Sequence, residues 1–361
     1  MADTAFGHLN IDLGAVAANY QKFCDMTAPE CAVAGIVKAN AYGLGMTQVV
    51  PVLEREGCRR FFVATLDEAI AVRAITKQPV CVLGGLIPGA EAEYHAHGVT
   101  PVLNTLGDID RWAAFAKKTE ARTKAIIHFD TGMNRLGLGQ DETRILLDKP
   151  AMLEGLAIIA IMSHFACADE KNHPLTEAQY QKFSAAAAHF PQAQKSLANS
   201  SGIFRDRKYH YDLVRPGMAI YGLNPTPETD NPMRATVSLH ARILQVRIVE
   251  NQDTVGYGAT YRFDKKTTVA TIGLGYTDGF MRAAGRNAVF YYKGHPCPAI
   301  GRVSMDLITV DMGPHTPQQG EMLEILGPNQ SADTLAEARG TIGYEVLTNL
   351  GDRYHRDYKN G

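Results

Sequence analysis

From Cys31 to about Gly222, short apolar runs rich in β-branched residues alternate with segments of helical period, and each pair has the length of a βα unit. The strand-like runs are CAVAGIVKAN, RRFFVAT, PVCVLGG, VTPVLN, AIIHFDTG, LEGLAIIAIMSHF, KSLANS and DLVRPGMAIYG. Between them LDEAIAVRAIT, DRWAAFAKK, DETRILLDK and TEAQYQKFSAAAAHF carry an apolar stripe on an otherwise polar helix. Eight strands alternating with helices predict an α/β fold whose N-terminal part is a (β/α)8 TIM-type barrel. An open doubly wound sheet uses the same right-handed units, but the strand count and rough length favour the barrel.

Beyond LNPTPETDNPMRA the texture changes. SLHARILQVRIVE, TTVATIGLGY, NAVFYYKG and SMDLITVDM alternate or are β-branched and are separated by Gly-containing turns. Two domains are therefore expected, a barrel over 1–234 and a mainly β domain over 235–361. The late segment TLAEARGTIGYEVLTNL is helical in spacing.

Composition alters little. Of 361 residues, 45% are hydrophobic and 20% charged, the balance of a globular chain with a sizeable core. The net charge of -2, with Lys and Arg scattered, offers no footprint for nucleic acid or an anionic membrane, which leaves small-molecule chemistry. MADTAFGHLNID lacks the basic and apolar regions of a leader, and the most apolar stretch, Leu153 to Met162, is too short to span a bilayer; a cytoplasmic protein is expected. Cys24, Cys31, Cys58, Cys81, Cys167 and Cys297 lie far apart with no C-x-x-C pair, which suits reduced, packed thiols, and no metal is expected. His95 and His97 lack a spaced acidic or cysteine partner and read as a helix end, while GLGYTDG, among strands, is no dinucleotide fingerprint.

A barrel carries its chemistry at the C-terminal ends of its strands. Lys38, in AVAGIVKANAYGLG, falls where an apolar strand gives way to a loop, so its amine points into the barrel mouth. Poor solvation there lowers an ammonium pKa, the condition for a Schiff-base amine near neutral pH. Most loop lysines are simply solvated, but the surrounding KANAYG sits poorly with that view. The loops ANSSG, with Ser200 and Ser201, and RPGM, with Gly217, follow the seventh and eighth strands, where barrels commonly hold phosphate. Turn chemistry alone explains either loop; with Lys38 they point to an aldehyde cofactor bearing a phosphate. Arg135 in DTGMNRLG, His164 in MSHFA and Arg215 in LVRPG are polar groups at the ends of apolar runs, where burial is costly without partners. A structural salt bridge is the plain alternative for each arginine, and a lone histidine beside a core strand is more often structural than catalytic.

VKANAYGLG closely resembles the cofactor-lysine signature of the alanine racemases, whose common form reads VKANAYGHG; Leu44 stands where histidine is usual. The resemblance continues through DTGMNRLG, SHFA, ANSSGIF, DLVRPGMAIYG, VGYGATYR, IGLGYTDG and GRVSMDLITVD to RYHRDY, nearly the whole chain. It implies a barrel followed by a β domain, pyridoxal 5'-phosphate on Lys38, and a head-to-tail homodimer whose sites each combine one subunit's barrel with the partner's β domain. By motif the phosphate would be held by Tyr42, Ser200, Gly217, Met218 and Tyr358. Arg215 would face the pyridine nitrogen and Arg135 the phenolic oxygen, and His164 would bridge Arg215 and Tyr257 of the partner subunit. Arg135 and the backbone near Met305 would receive the substrate, and Tyr276 would narrow the entry channel.

The implied activity is interconversion of L- and D-alanine by two bases, Lys38 and Tyr257, supplying D-alanine for peptidoglycan. Three positions depart from the family pattern. His128 stands where many members carry a lysine, carbamylated in some, so no carbamyl-lysine is expected; Ser196 replaces a frequent histidine and Ser304 a frequent cysteine. A decarboxylase of the same fold is expected to set an acidic residue against the pyridine nitrogen, where Arg215 stands. A non-catalytic carrier needs only the barrel, and a broader racemase acting on serine would keep the same lysine, tyrosine and arginines.

Overall fold

The computed structural model describes residues 4–361 and divides them into two compact units, Val16–Arg234 and a second made of the residues up to Ala15 together with Ala235–Gly361. β1 (Gly7–Asp12) belongs to the second unit. The first contains β2 (Ala32–Val33), β3 (Gly35–Ile36), β4 (Phe61–Val63), β5 (Val80–Val82), β6 (Thr100–Leu103), β7 (Thr123–His128), β8 (Leu156–Met162), β9 (Gln194–Ser196) and β10 (Leu213–Val214).

β3 to β9 form one parallel sheet in chain order, with helix between successive strands. The residues of β4, β5 and β6 are all buried, as parallel strands covered on both faces must be. β10 completes the ring. On one side the N–H groups of Asp212 and Arg215 donate to Lys195 and Ala198 carbonyls at 3.1 and 3.0 Å, and on the other β10 pairs in parallel with β2. This is the expected (β/α)8 arrangement, with its eighth strand short because Pro216 has no N–H to donate. Of DLVRPGMAIYG only Leu213–Val214 is strand, and Met218–Tyr221 coils into a 3-10 turn. Likewise only Lys195 and Ser196 of KSLANS are strand, at the end of Gln194–Ser196, since Asn199 caps the following helix by accepting the Gly202 N–H at 2.9 Å.

The second unit contains β11 (Val237–Val249), β12 (Thr254–Val255), β13 (Tyr261–Arg262), β14 (Thr267–Ile272), β15 (Val289–Tyr292), β16 (His295–Ile300), β17 (Ile308–Gly313), β18 (Met322–Leu326) and β19 (His355–Lys359). Its main sheet runs β14-β17-β16-β15-β18-β11-β1-β19, antiparallel except for β1–β19. β11 pairs with β18 through its first half and with β14 through its second, which curls the sheet onto itself. β1 alternates buried and half-buried residues and lies between β11 and β19, so residues 4–15 pack with this unit and not with the barrel, where a boundary of 1–234 had put them. TLAEARGTIGYEVLTNL becomes two short helices, Ala332–Glu337 and Gly343–Thr348, separated by Gly340 at φ 67. Among the described residues the cysteines are free, and no helix is long and apolar enough to cross a membrane.

Candidate active site

Lys38 follows β3 and opens a turn that runs the wrong way for L-residues. Ala39, Asn40, Ala41 and Tyr42 take φ of 52, 51, 55 and 54, left-handed backbone that costs a non-glycine residue about 1–2 kcal/mol each. Several bonds offset this. The Glu68 carboxylate accepts the Ala39 and Ala64 N–H groups at 2.6 and 2.7 Å, and Asn40 Oδ1 accepts the Met46 N–H at 2.8 Å. Four consecutive strained residues therefore begin immediately after Lys38, the placement typical of a site whose geometry is over-determined by its surroundings. Burial, and then the charge of Arg135, lower the Lys38 pKa against the opposing pull of Glu68.

Tyr42 ends that turn, stacked on Tyr221 with ring centroids 4.6 Å apart, while the Tyr221 hydroxyl donates to the Ile36 carbonyl at 2.7 Å. The Ser200 hydroxyl accepts the N–H groups of Gly217 and Ala219 at 2.9 and 3.4 Å, joining the loops that follow β9 and β10. A Cβ on Gly217 would lie 2.6 Å from the Tyr42 hydroxyl oxygen, so only glycine allows these groups to meet. Tyr42, Ser200, Gly217 and Met218 thus converge as two hydroxyls and a small-residue backbone, a donor set that fits a phosphate monoester.

Arg215 is buried at 3% exposure among neutral acceptors. It donates to the Ser196 hydroxyl, to the Ser163 carbonyl at 2.5 Å and to the Leu197 carbonyl at 3.4 Å. Burial brings its pKa down to about 9, which leaves it charged at neutral pH. Its Nη2 also faces His164 Nδ1 at 3.4 Å; because a guanidinium only donates, Nδ1 is the acceptor and the ring's proton sits on Nε2. The half-buried His164 is kept neutral, its pKa held well below 6.5 by burial and then by Arg215, Arg135, His128 and Lys38. Gln179 and Ser163, neither evident from the sequence, brace this group: Gln179 donates to the His164 carbonyl at 2.8 Å, and Ser163 shares a 2.7 Å bond with Thr131. Arg135 lies exposed on the loop after β7, whose start is locked by Asp130 accepting the Gly132, Met133 and Asn134 N–H groups.

The remaining expected site residues belong to the second unit. Tyr257 is 73% exposed on a loop held by Gly256 and Gly258 at φ 73 and 75. Met305 and Tyr276 are also exposed and adjacent through the Tyr276 N–H to Ser304 carbonyl and Thr277 N–H to Met305 carbonyl bonds, both 3.2 Å. Gly275 makes that approach possible, since a Cβ there would lie 2.1 Å from the Met305 carbonyl oxygen. Tyr358 is half-buried on β19, in register with Ile11. Ser304 bonds within its own turn, to the Leu307 carbonyl at 2.8 Å.

The two histidines of the barrel mouth make stability depend on pH. Burial, then Arg215, lowers the His128 pKa to about 4, and His164 is also depressed. As pH falls past 6.5 the unfolded chain takes up protons on both rings that the folded chain refuses, so stability is complete above 6.5 and lost on acidification. His128 alone accounts for about 3 kcal/mol between 6.5 and 4. Thermal unfolding of the apoprotein followed from pH 7.5 to 5 is expected to show a falling midpoint with a shallower slope in His128→Asn; equal slopes would refute the assignment.

Comparison with known proteins follows the same division. Residues 11–225 match the family model "Alanine racemase, N-terminal domain" and residues 236–358 "Alanine racemase, C-terminal domain". The chain is 45% identical to an alanine racemase of Rhodospirillum rubrum, over 99% of this chain and 96% of that protein. It is 44% identical to a Mesorhizobium japonicum protein named as a catabolic alanine racemase, over 98% and 93%. A crystal structure of alanine racemase from Bartonella henselae, described with covalently bound pyridoxal phosphate, superposes with a TM-score of 0.95 at 36% identity, covering 98% of this chain and 99% of that one.

Proposed function

The chain belongs to the alanine racemase family, and on that premise we propose that it is a pyridoxal-phosphate-dependent isomerase interconverting L- and D-alanine with Lys38 and Tyr257 as its two proton-transfer groups. The observation that carries this is the placement of Lys38, with a depressed pKa, in the same barrel mouth as the Tyr42–Ser200–Gly217 cradle.

Lys38 would hold the cofactor's aldehyde carbon, and Tyr42, Ser200, Gly217 and Met218 its phosphate, with Tyr358 as a further phosphate ligand. Once bound, pyridoxal phosphate withdraws electrons from the substrate's Cα and makes its proton acidic. The Lys38 amine, freed by substrate and poorly solvated, takes or returns that proton on one face. Tyr257 of the partner subunit serves the opposite face, in a head-to-tail homodimer with shared sites. The exposure of Tyr257, Tyr276 and Met305 supports that assembly, since all three present their surface for a partner to cover. In it His164, with its proton on Nε2, donates to the phenolic oxygen, while its Nδ1 stays tied to Arg215. That bond stabilises the phenolate a tyrosine base requires.

Arg215 would face the pyridine nitrogen. A guanidinium bound only to neutral oxygens and an imidazole gives a hydrogen bond there without surrendering a proton, so it limits electron withdrawal and favours rapid reprotonation over transamination or decarboxylation. Arg135 and the backbone near Met305 would receive the substrate carboxylate, with Tyr276 at the entrance. We assign the product to cell-wall D-alanine supply, and the free cysteines suit work in a reducing cytoplasm.

Purified protein loaded with pyridoxal phosphate is expected to convert L-alanine to a racemic mixture, read by chiral chromatography, and L-serine much more slowly. Equal rates would make it a broad small-amino-acid racemase. Cofactor binding without interconversion would sink the racemase assignment.

A further inference from the structure

The loop between β8 and the helix Pro174–Ala187 carries three metal-ligating side chains that the mechanism above does not use. Cys167, Glu170 and His173 each offer one ligand atom, a thiol sulfur, a carboxylate oxygen and a ring nitrogen, and these atoms all lie within 4.8 Å of one another. Among the described residues no other three histidine, cysteine or acidic side chains meet in this way. Their spacing matches no zinc-finger or zinc-ribbon pattern, so the grouping is a product of how the loop folds.

The backbone that carries them is held at several points. The Glu170 N–H donates to the Cys167 carbonyl at 3.2 Å and the His173 N–H to the Glu170 carbonyl at 3.3 Å, so two successive turns bring the three side chains together. Arg205 donates to the Ala168 and Asp169 carbonyls, both at 2.6 Å, and is itself paired with Glu228. The Thr176 hydroxyl donates to the Cys167 carbonyl at 3.3 Å. Ligands gathered on a fixed loop lose little freedom when a cation binds.

One sulfur, one nitrogen and one oxygen suit a borderline divalent cation such as zinc or cobalt(II), whereas magnesium and calcium require a shell of oxygens. Burial, and then the carboxylates of Glu170 and Asp169, raise the Cys167 pKa, so the thiol is protonated and faces negative charge that a cation relieves. His173 Nδ1 accepts the Leu175 N–H at 3.2 Å as the helix cap. A neutral imidazole has one lone pair to offer, so coordination through either nitrogen gives up that long bond. Thiolate and carboxylate together cancel the cation's two charges, and the complex sets no net charge against the helix N-terminus.

We propose that Cys167, Glu170 and His173 bind one zinc-class divalent cation through one thiolate, one carboxylate oxygen and one imidazole nitrogen, with a further coordination position open. Binding releases one proton, from the thiol, and transfers no electron. The site does not rest on the racemase reading. Gln179, which accepts the Ala166 N–H at 2.9 Å and donates to the His164 carbonyl at 2.8 Å, pins the chain between it and the barrel mouth.

The test uses full-length protein loaded with pyridoxal phosphate and dialysed free of metal. Titration with cobalt(II) is expected to saturate at one ion per chain, with a thiolate-to-cobalt charge-transfer band and the intense visible d–d bands of a tetrahedral complex, and zinc is expected to displace it. Zinc should also protect Cys167, but not the half-buried Cys24, from iodoacetamide, read by peptide mass spectrometry. Cys167→Ser is expected to lose the charge-transfer band. His173→Asn keeps a capping acceptor while removing the imidazole, and is expected to weaken cobalt binding by about 100-fold or more, a loss that even an outer-shell partner can cause. Glu170→Gln should show a smaller loss. A titration without the thiolate band, equal alkylation of Cys167 with and without zinc, or wild-type affinity in His173→Asn would each overturn the site. Binding that persists undiminished in Cys167→Ser would place the ion on some other surface, and would overturn it too. Failure of the wild type to racemise alanine would change none of these readings, so the two proposals stand or fall separately.

Discussion

Lys38→Ala is expected to lose the visible absorbance of a lysine-bound aldehyde and to lower D-alanine formation by about 10³-fold or more, the scale of removing a positioned general base that is also the covalent anchor. The size of the effect comes from the site. The amine emerges from a buried strand end, its pKa is lowered by burial and by Arg135, and the left-handed turn that follows holds it in one place. Lys38→Arg is the sharper control, because it preserves the positive charge and most of the length but offers no nucleophilic amine at neutral pH. It is expected to be as inactive as alanine. Retained turnover in either variant, measured by chiral chromatography against a cofactor-free blank, would remove Lys38 from the chemistry.

Tyr257→Phe should abolish racemisation to a similar degree while leaving half of the reaction running. Each direction needs one group to take the α-proton and the other to return it, so loss of either stops inversion, by about 10²–10⁴-fold for an acid–base partner. On the proposed two-base reading Lys38 still faces one enantiomer. In D2O the variant should therefore exchange the α-hydrogen of one enantiomer of alanine for deuterium without inverting it, and leave the other untouched. Exchange of both or of neither would contradict two opposed bases. The exposed loop carrying Tyr257 adds a second test of the shared site. Mixed and re-equilibrated Lys38→Ala and Tyr257→Phe chains should recover about a quarter of wild-type activity, because half of the dimers are mixed and each of these has one intact site of two. No recovery would put both residues in one subunit's site.

Much of the proposed site was legible along the chain because a barrel gathers its chemistry at strand ends, and strand ends are visible as the points where apolar runs stop. Lys38, His164 and Arg215 all stand at such points, and Ser200 and Gly217 open the last two loops. Their partners were less visible. Ser163 and Gln179 are ordinary polar residues whose value comes from contacts across 15 to 52 positions, which no local pattern reports. Glu68 was closer to reach, since it completes a capping box with Thr65; that it also holds Ala39 does not follow from the box.

The left-handed turn after Lys38 shows the limit most clearly. Two of its four residues are alanines, the residue most at home in a right-handed helix, and no glycine announces the change. Bonds from Glu68 and Asn40 and packing of Tyr42 on Tyr221 offset a local cost that the segment alone would not bear. In the same way β1 is too short to declare its sheet, and its place between β11 and β19 is decided by pairing partners more than 200 residues away in number. Periodicity, turn residues and strand ends are local properties, so the alternation of elements, the two-unit plan and the strand-end positions of Lys38, His164 and Arg215 could be read from the sequence itself. The backbone hand at Lys38, the proton position on His164, and the neutral setting of Arg215 depend on which distant groups meet in the fold, and only the tertiary structure decided them.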